Sequence, residues 1–150
     1  MAQERYVDAI YDFYFVLESL FSNGHTKNRK VKGQFRQSNI LQTAVGKGLA
    51  SGLVQKVLAR DERLKQEFAV RYLKKAHNEI TDSFVELRGF LHHHSVMRPN
   101  VWHPEEHHRF KLDALVLSSV CFNVLSELTF PLLYCEDSAR QYQHAASLHL

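Results

Sequence analysis

The stretch 61–92, DERLKQEFAVRYLKKAHNEITDSFVELRGFLH, decides the fold class. Phe68, Tyr72, Leu73, Ala76, Ile80, Phe84, Leu87 and Leu91 recur at helical spacing across it. An apolar stripe that returns every three or four residues marks a helix with one buried face. The pattern predicts one long helix from about Asp61 to His92. Asp61 and Glu62 stand where the helix dipole favours negative charge, and the histidines stand where it favours positive charge.

The flanking segments carry the same signature. Tyr6, Ile10, Phe13, Leu17 and Leu20 predict an N-terminal helix. Tyr11, Phe15 and Val16 widen its apolar face, which implies packing on more than one side. Asn23 and Gly24 supply a left-handed turn at its end. Ser38 is a natural N-cap for a helix through Ile40, Leu41, Ala44 and Val45. Gly46, Gly48 and Gly52 then weaken helical continuity. GKGLASG, residues 46–52, lacks the order of a phosphate-binding loop, and no strand precedes it. Two prolines make SVMRPNVWHP, residues 95–104, a loop. Pro104, Glu105 and Glu106 suit the first turn of a last helix carrying Phe110, Leu115, Leu117, Val120, Val124, Leu125 and Leu128. Pro131 kinks or ends that helix. The tail 136–150 is weakly patterned and is expected to be peripheral. No segment alternates with period two for long. The expectation is a single all-α domain over 1–150, a bundle of four to five helices with short connections.

Composition narrows the function classes. With 45% hydrophobic and 23% charged residues, the 150-residue chain can bury a core and is not a disordered tail. A net charge of +3 is too small to demand a nucleic-acid partner. Lys27, Arg29, Lys30, Lys32 and Arg36 nevertheless fall within ten residues. They form either a solvated basic surface or a phosphate-attracting edge. Cys121 and Cys135 fit neither a disulfide framework nor a zinc spacing and are expected in the core. The N-terminus lacks the apolar core of a signal peptide. The apolar run Ala114–Ser126, bracketed by Asp113 and Glu127, falls short of the roughly 20 residues that span a bilayer. A cytoplasmic protein without membrane attachment is therefore expected.

The chemistry-bearing stretch is ELRGFLHHHSVMRPN, residues 86–100. Arg88 follows Leu87 by one residue, which puts it at the edge of the buried stripe. His92 shares its face, four residues on. His93 and His94 fall where the helix ends. One reading is a helix C-terminus dressed with cations. A second is a metal site, but consecutive histidines point apart, and His103 with His107 lack the HExxH glutamate and any cysteine partner. No metal or cofactor is expected. The third reading is acid–base chemistry on a phosphate, with arginine as fixed cation and histidine as proton carrier.

The placement of LRGFLHHHS at the end of a long helix in an all-helical domain resembles the R-x4-6-H signature of the HEPN superfamily. Arg88 and His93 match its four-residue spacing, His94 matches a five-residue spacing, and His92 is one residue too close. YDFYFVLESLFSNGHTKNRKVKGQFRQS, residues 11–38, is similar to the first helix and basic turn of such domains. The resemblance covers most of residues 5–100. It implies a metal-independent endoribonuclease of toxin or defence type, acting on RNA as a homodimer, with an antitoxin or other partner protein. Arg88 and His93 would be catalytic, with His92 and His94 in support. Glu18, Glu86 or Asp82 would orient them, and Lys27, Arg29, Lys30, Lys32 and Arg36 would hold the RNA. Gly89 departs from the polar residue that usually follows the arginine in nuclease members. That departure favours the alternative, a non-catalytic module for nucleic-acid or nucleotide binding or for dimerisation.

Overall fold

The computed structural model describes residues 5–92, 104–133 and 135. The histidines His93, His94 and His103 and the tail 136–150 lie outside them. The described residues form an all-α bundle. In chain order its helices are α1 (Tyr6–Phe21), α2 (Asn28–Gln37), α3 (Asn39–Leu49), α4 (Gly52–Leu58), α5 (Glu62–Phe68), α6 (His77–His92) and α7 (Lys111–Leu133). A π-helical turn, Ala69–Leu73, extends α5, and a 3-10 helix, Pro104–Phe110, leads into α7. α7 packs on α1, α3 and α4, while α6 packs on α1, α2 and α3.

The bundle has more helices than the expected four to five because local capping cuts the chain. The Ser38 hydroxyl accepts from Leu41 N (3.2 Å), Ser51 from Val54 N (3.3 Å) and Asp61 from Leu64 N (3.1 Å). Each ends one helix and starts the next by satisfying an otherwise orphaned amide. Asn23 and Gly24 adopt the left-handed conformation, with φ of 52° and 72°.

The helix expected over 61–92 is two helices. The π turn adds a residue to its turn, so Leu73 rotates out to solvent while Phe68 and Tyr72 stay buried. A fresh start follows, where the Glu79 carboxylate accepts from Ala76 N at 2.8 Å. From there α6 buries Ile80, Phe84 and Leu91, as its pattern predicts, and its described residues run to His92.

Other faces differ from expectation as well. α1 buries Val7, Ile10, Tyr14 and Leu17, whereas Phe15 is 67% exposed, so one side of α1 faces solvent. Cys121 is buried with its thiol pushed up to about 12 by burial, but Cys135 is exposed. Pro131 lies inside α7, two residues before its last residue, so the helix runs past it although the amide that would bond the Glu127 carbonyl is missing. The helical stretch Glu106–Leu132 is 27 residues long and apolar enough to cross a membrane by length and composition. The run between Asp113 and Glu127 understates it, because helix continues through both polar ends. Val116, Leu117, Val120 and Val124 of this stretch are core residues of the bundle.

Gly46 and Gly48 do not interrupt α3. Gly48 instead permits a close backbone crossing: a Cβ built there would stand 3.0 Å from the Val120 backbone nitrogen and 3.1 Å from its Cα. The Ser119 hydroxyl donates to Gly48 O at 3.0 Å across the same contact. Backbone cannot rotate aside. Gly48→Ala should therefore destabilise by about 1–3 kcal/mol despite alanine's better helix propensity. Gly33, mid-α2 with open space around it, is the control. Gly33→Ala should stabilise by roughly 0.5–1 kcal/mol. Urea unfolding of both variants checks the opposite signs.

Candidate active site at the end of α6

Arg88 stands on the last full turn of α6, with its side chain 27% exposed. It turns toward α1. Its Cζ lies 5.8 Å from the centre of the Tyr14 ring, and Nη2 lies 3.9 Å from Glu18 Oε1. Tyr14 OH donates to the same Glu18 oxygen at 3.4 Å. The aromatic face and the carboxylate together hold the guanidinium at the bundle edge, half out of water. The 3.9 Å ion pair is loose, so it orients Arg88 without consuming its planar donor fork.

The sequence did not mark Tyr14, and it marked Tyr11 only as part of the apolar face of α1. Their only signal is spacing: Tyr11, Tyr14 and Glu18 share one face of α1 at intervals of three and four residues. Burial pushes the Tyr14 phenol above its ordinary range, the Glu18 charge and hydrogen bond add to that, and Arg88 opposes them. Tyr11 is likewise raised by burial, against Arg88. Tyr14 therefore remains a hydrogen-bond donor to Glu18 throughout the neutral range.

Of the three carboxylates expected near Arg88, only Glu18 pairs with it among the described residues. Glu86 binds Lys32 Nζ at 2.6 Å. Asp82 takes Arg36 in a two-pronged pair, with Arg36 Nε at 3.0 Å from Oδ1 and Nη2 on Oδ2. Lys32 and Arg36, expected on the RNA-binding edge, thus tie α2 to α6. Lys27, Arg29 and Lys30 stay exposed at the start of α2. Gly89 brings that start close to Arg88. A Cβ on Gly89 would stand 3.1 Å from Asn28 Nδ2, so the Asn28 amide occupies the space a side chain at 89 would need.

His92 is exposed at the end of α6. His93 and His94 follow it in the chain, outside the described residues. His107 stacks on Tyr6, with ring centres 5.9 Å apart, and docks the 3-10 helix on α1. No group of three His, Cys, Asp or Glu among the described residues is placed to hold a metal ion.

Comparison with protein-family models, with curated proteins and with solved structures finds no match to this chain.

The Tyr14 environment has a measurable signature. A phenol that ionises near 10 in the unfolded chain and higher in the folded one makes folding depend on alkaline pH. Its contribution is complete below pH 10 and is lost as pH rises through the folded value. Stability from denaturant midpoints should begin to fall above about pH 9, where the buried Cys121 thiol first differs from its unfolded state, and Tyr14→Phe should make the fall above pH 10 shallower. Equal slopes in the two proteins would contradict the burial of this phenol.

Proposed function

We propose that the protein is a metal-independent endoribonuclease of toxin or defence type, acting in the cytoplasm. Arg88 is its phosphate clamp and His93 its proton carrier. The observation that supports this most is the setting of Arg88. It is held half-exposed by Tyr14 and Glu18 on the final turn of α6, one residue from the Gly89–Asn28 contact that draws up Lys27, Arg29 and Lys30. A cation fixed at the mouth of a basic edge, with histidines next in the chain, is the equipment RNA transphosphorylation needs.

In that reaction the 2′-oxygen of a ribose attacks the adjacent phosphorus. A base removes the 2′ proton, and an acid protonates the departing 5′-oxygen. The phosphorane's added charge needs a fixed cation, and arginine offers a planar fork to two of its oxygens. Histidine, with a reference pKa near 6.5, serves in either proton role. One Arg–His pair supplies too few groups for both proton transfers and the clamp. A two-fold homodimer facing two such pairs supplies them all. The second reading is a non-catalytic nucleic-acid or nucleotide-binding or dimerisation module. Gly89 favours it, because packing against Asn28 has taken the place of a polar side chain beside Arg88. An antitoxin or other partner protein belongs to either reading.

Incubation of the pure protein with mixed RNA in EDTA tests the proposal. Arg88→Ala and His93→Ala should each lower cleavage by about 10²–10⁴-fold. Arg88→Lys should fail nearly as badly, since it keeps the charge and loses the fork. His92→Ala should matter less, and His94→Ala measures whether His94 shares the role of His93. Undiminished cleavage by a folded Arg88→Ala, His93→Ala double mutant would remove this site from the mechanism. Absence of wild-type cleavage on any RNA would favour the binding module.

The basic edge makes a separate prediction. Replacing Lys27, Arg29 and Lys30 by alanine should weaken single-stranded RNA binding and reduce the salt slope by roughly 0.7 per lost phosphate contact. Lys32→Ala and Arg36→Ala should change that slope little, because α6 carboxylates already hold both cations. Fluorescence anisotropy across a salt series separates the two groups.

A further inference from the structure

A cleft lies on another side of α6 from Arg88. Phe90 lines it, two residues and about 200° around the helix from Arg88. Its volume is about 440 Å³, within the range of small-molecule sites. The π turn and α7 build one wall. Asp113 is 3% exposed, and its Oδ1 accepts from Tyr72 OH at 2.5 Å and from Arg71 Nη2. Arg71 Nη1 donates to Glu67 Oε1 at 2.7 Å. In an α-helix, neighbouring side chains diverge by about 100°. Here two neighbours converge on a single oxygen, which the wider π turn allows. Such turns occur mostly as single insertions, frequently at functional sites.

The other oxygen of Asp113 is the notable one. No donor among the described residues reaches Oδ2, and it is not sealed from the cleft that Asp113 helps to line. A carboxylate oxygen that faces a cleft with no donor from the described residues can accept an N–H or O–H from a ligand. The opposite wall is aromatic and cationic. The Arg109 guanidinium lies 5.9 Å from the centre of Phe90 and 5.2 Å from that of Phe110. Its ion pair with Glu106 (3.0 Å) is exposed, so a phosphate can displace it. The Arg71 charge is already matched by Glu67 and Asp113, which leaves Arg109 as the cation for an incoming anion.

A planar ring, one hydrogen-bond donor on its edge and an attached anion match these three features together. We propose that this cleft binds a ribonucleotide unit. The base lies on Phe90, its exocyclic amino group donates to Asp113 Oδ2, and its phosphate pairs with Arg109. Aromatic rings and arginine planes are the usual stacking platforms for unpaired bases. Adenine, cytosine and guanine carry an exocyclic amino group, and uracil does not. The unit is either a free mononucleotide or one nucleotide of an RNA strand. Only the second case rests on the ribonuclease reading.

Calorimetric titration with AMP, CMP, GMP and UMP, and with a 2′-O-methyl oligonucleotide that cannot undergo 2′-attack, tests the inference. AMP, CMP or GMP should bind more tightly than UMP. Arg109→Ala should weaken the phosphate-bearing ligand by about tenfold while changing adenosine binding little. Phe90→Leu, which keeps an apolar side chain in place, should weaken both. Tighter binding of AMP than of the oligonucleotide would mark a free nucleotide as the ligand, and the reverse would mark a strand; either supports the cleft. Arg88→Ala should leave AMP binding intact, which separates this site from the proposed nuclease centre. No binding of any mononucleotide, or binding unchanged in Arg109→Ala and Phe90→Leu with unaltered melts, would overturn the inference.

Discussion

The crossing of α3 and α7 at Gly48 sets the geometry on which the rest of the bundle depends. With no side chain at 48, the two backbones meet within contact distance at Val120, and the Ser119 hydroxyl closes the gap to the Gly48 carbonyl. α7 can then bury Val116, Leu117, Val120 and Val124 against α1 and α3, and α6 lies across α1 and α3 with Ile80, Phe84 and Leu91 inside. Arg88 is half-exposed because it is one residue off that α6 stripe. It faces Tyr14 and Glu18 because α1 packs beside α6 at that turn. The proposed site is thus a by-product of core packing: apolar positions fix two helices, and polar side chains at their shared edge meet without further design.

The charges of α2 divide into two kinds. Lys32 and Arg36 face α6 and are matched by Glu86 and Asp82. Exposed pairs of this sort contribute about 0–1 kcal/mol each, so their value is in setting how α2 docks rather than in stability. Lys27, Arg29 and Lys30, at the start of the same helix, face solvent beside the end of α6. Asn28 sits among them and packs on Gly89. One short helix therefore combines a latch and a basic edge, and sequence alone showed both as a single basic run.

The fold class was legible because it depends on periodicity, which survives without coordinates. The stripe through Ile80, Phe84 and Leu91, the turn at Asn23 and Gly24, and the Ser38 cap were all readable as local patterns. The break at 74–76 was not, because its cause is distant: Asp113, some forty residues on, captures Arg71 and Tyr72 and stabilises the π turn. Gly46 and Gly48 read as helix breakers by propensity, yet close packing outweighs propensity at Gly48. At the site, Arg88 at the stripe edge could be anticipated, with Glu18 as one of three candidate partners. Which carboxylate would pair with which cation could not, since the pairing depends on how α1 and α2 dock on α6: Glu18 reaches Arg88 from α1, while Asp82 and Glu86 of α6 turn to α2. The Asp113 cleft joins α5, the π turn, α6 and α7, and no sequence spacing links them.

The central claim is that the Arg88 end of α6 performs 2′-hydroxyl attack on RNA. The 3′ ends of RNA incubated with the pure wild-type protein in EDTA test it most directly. The account predicts fragments ending in 2′,3′-cyclic phosphate with 5′-hydroxyl partners, and no cutting of DNA of the same sequence, which lacks the attacking hydroxyl. Fragments bearing 3′-hydroxyl and 5′-phosphate ends, or RNA left intact, would contradict it.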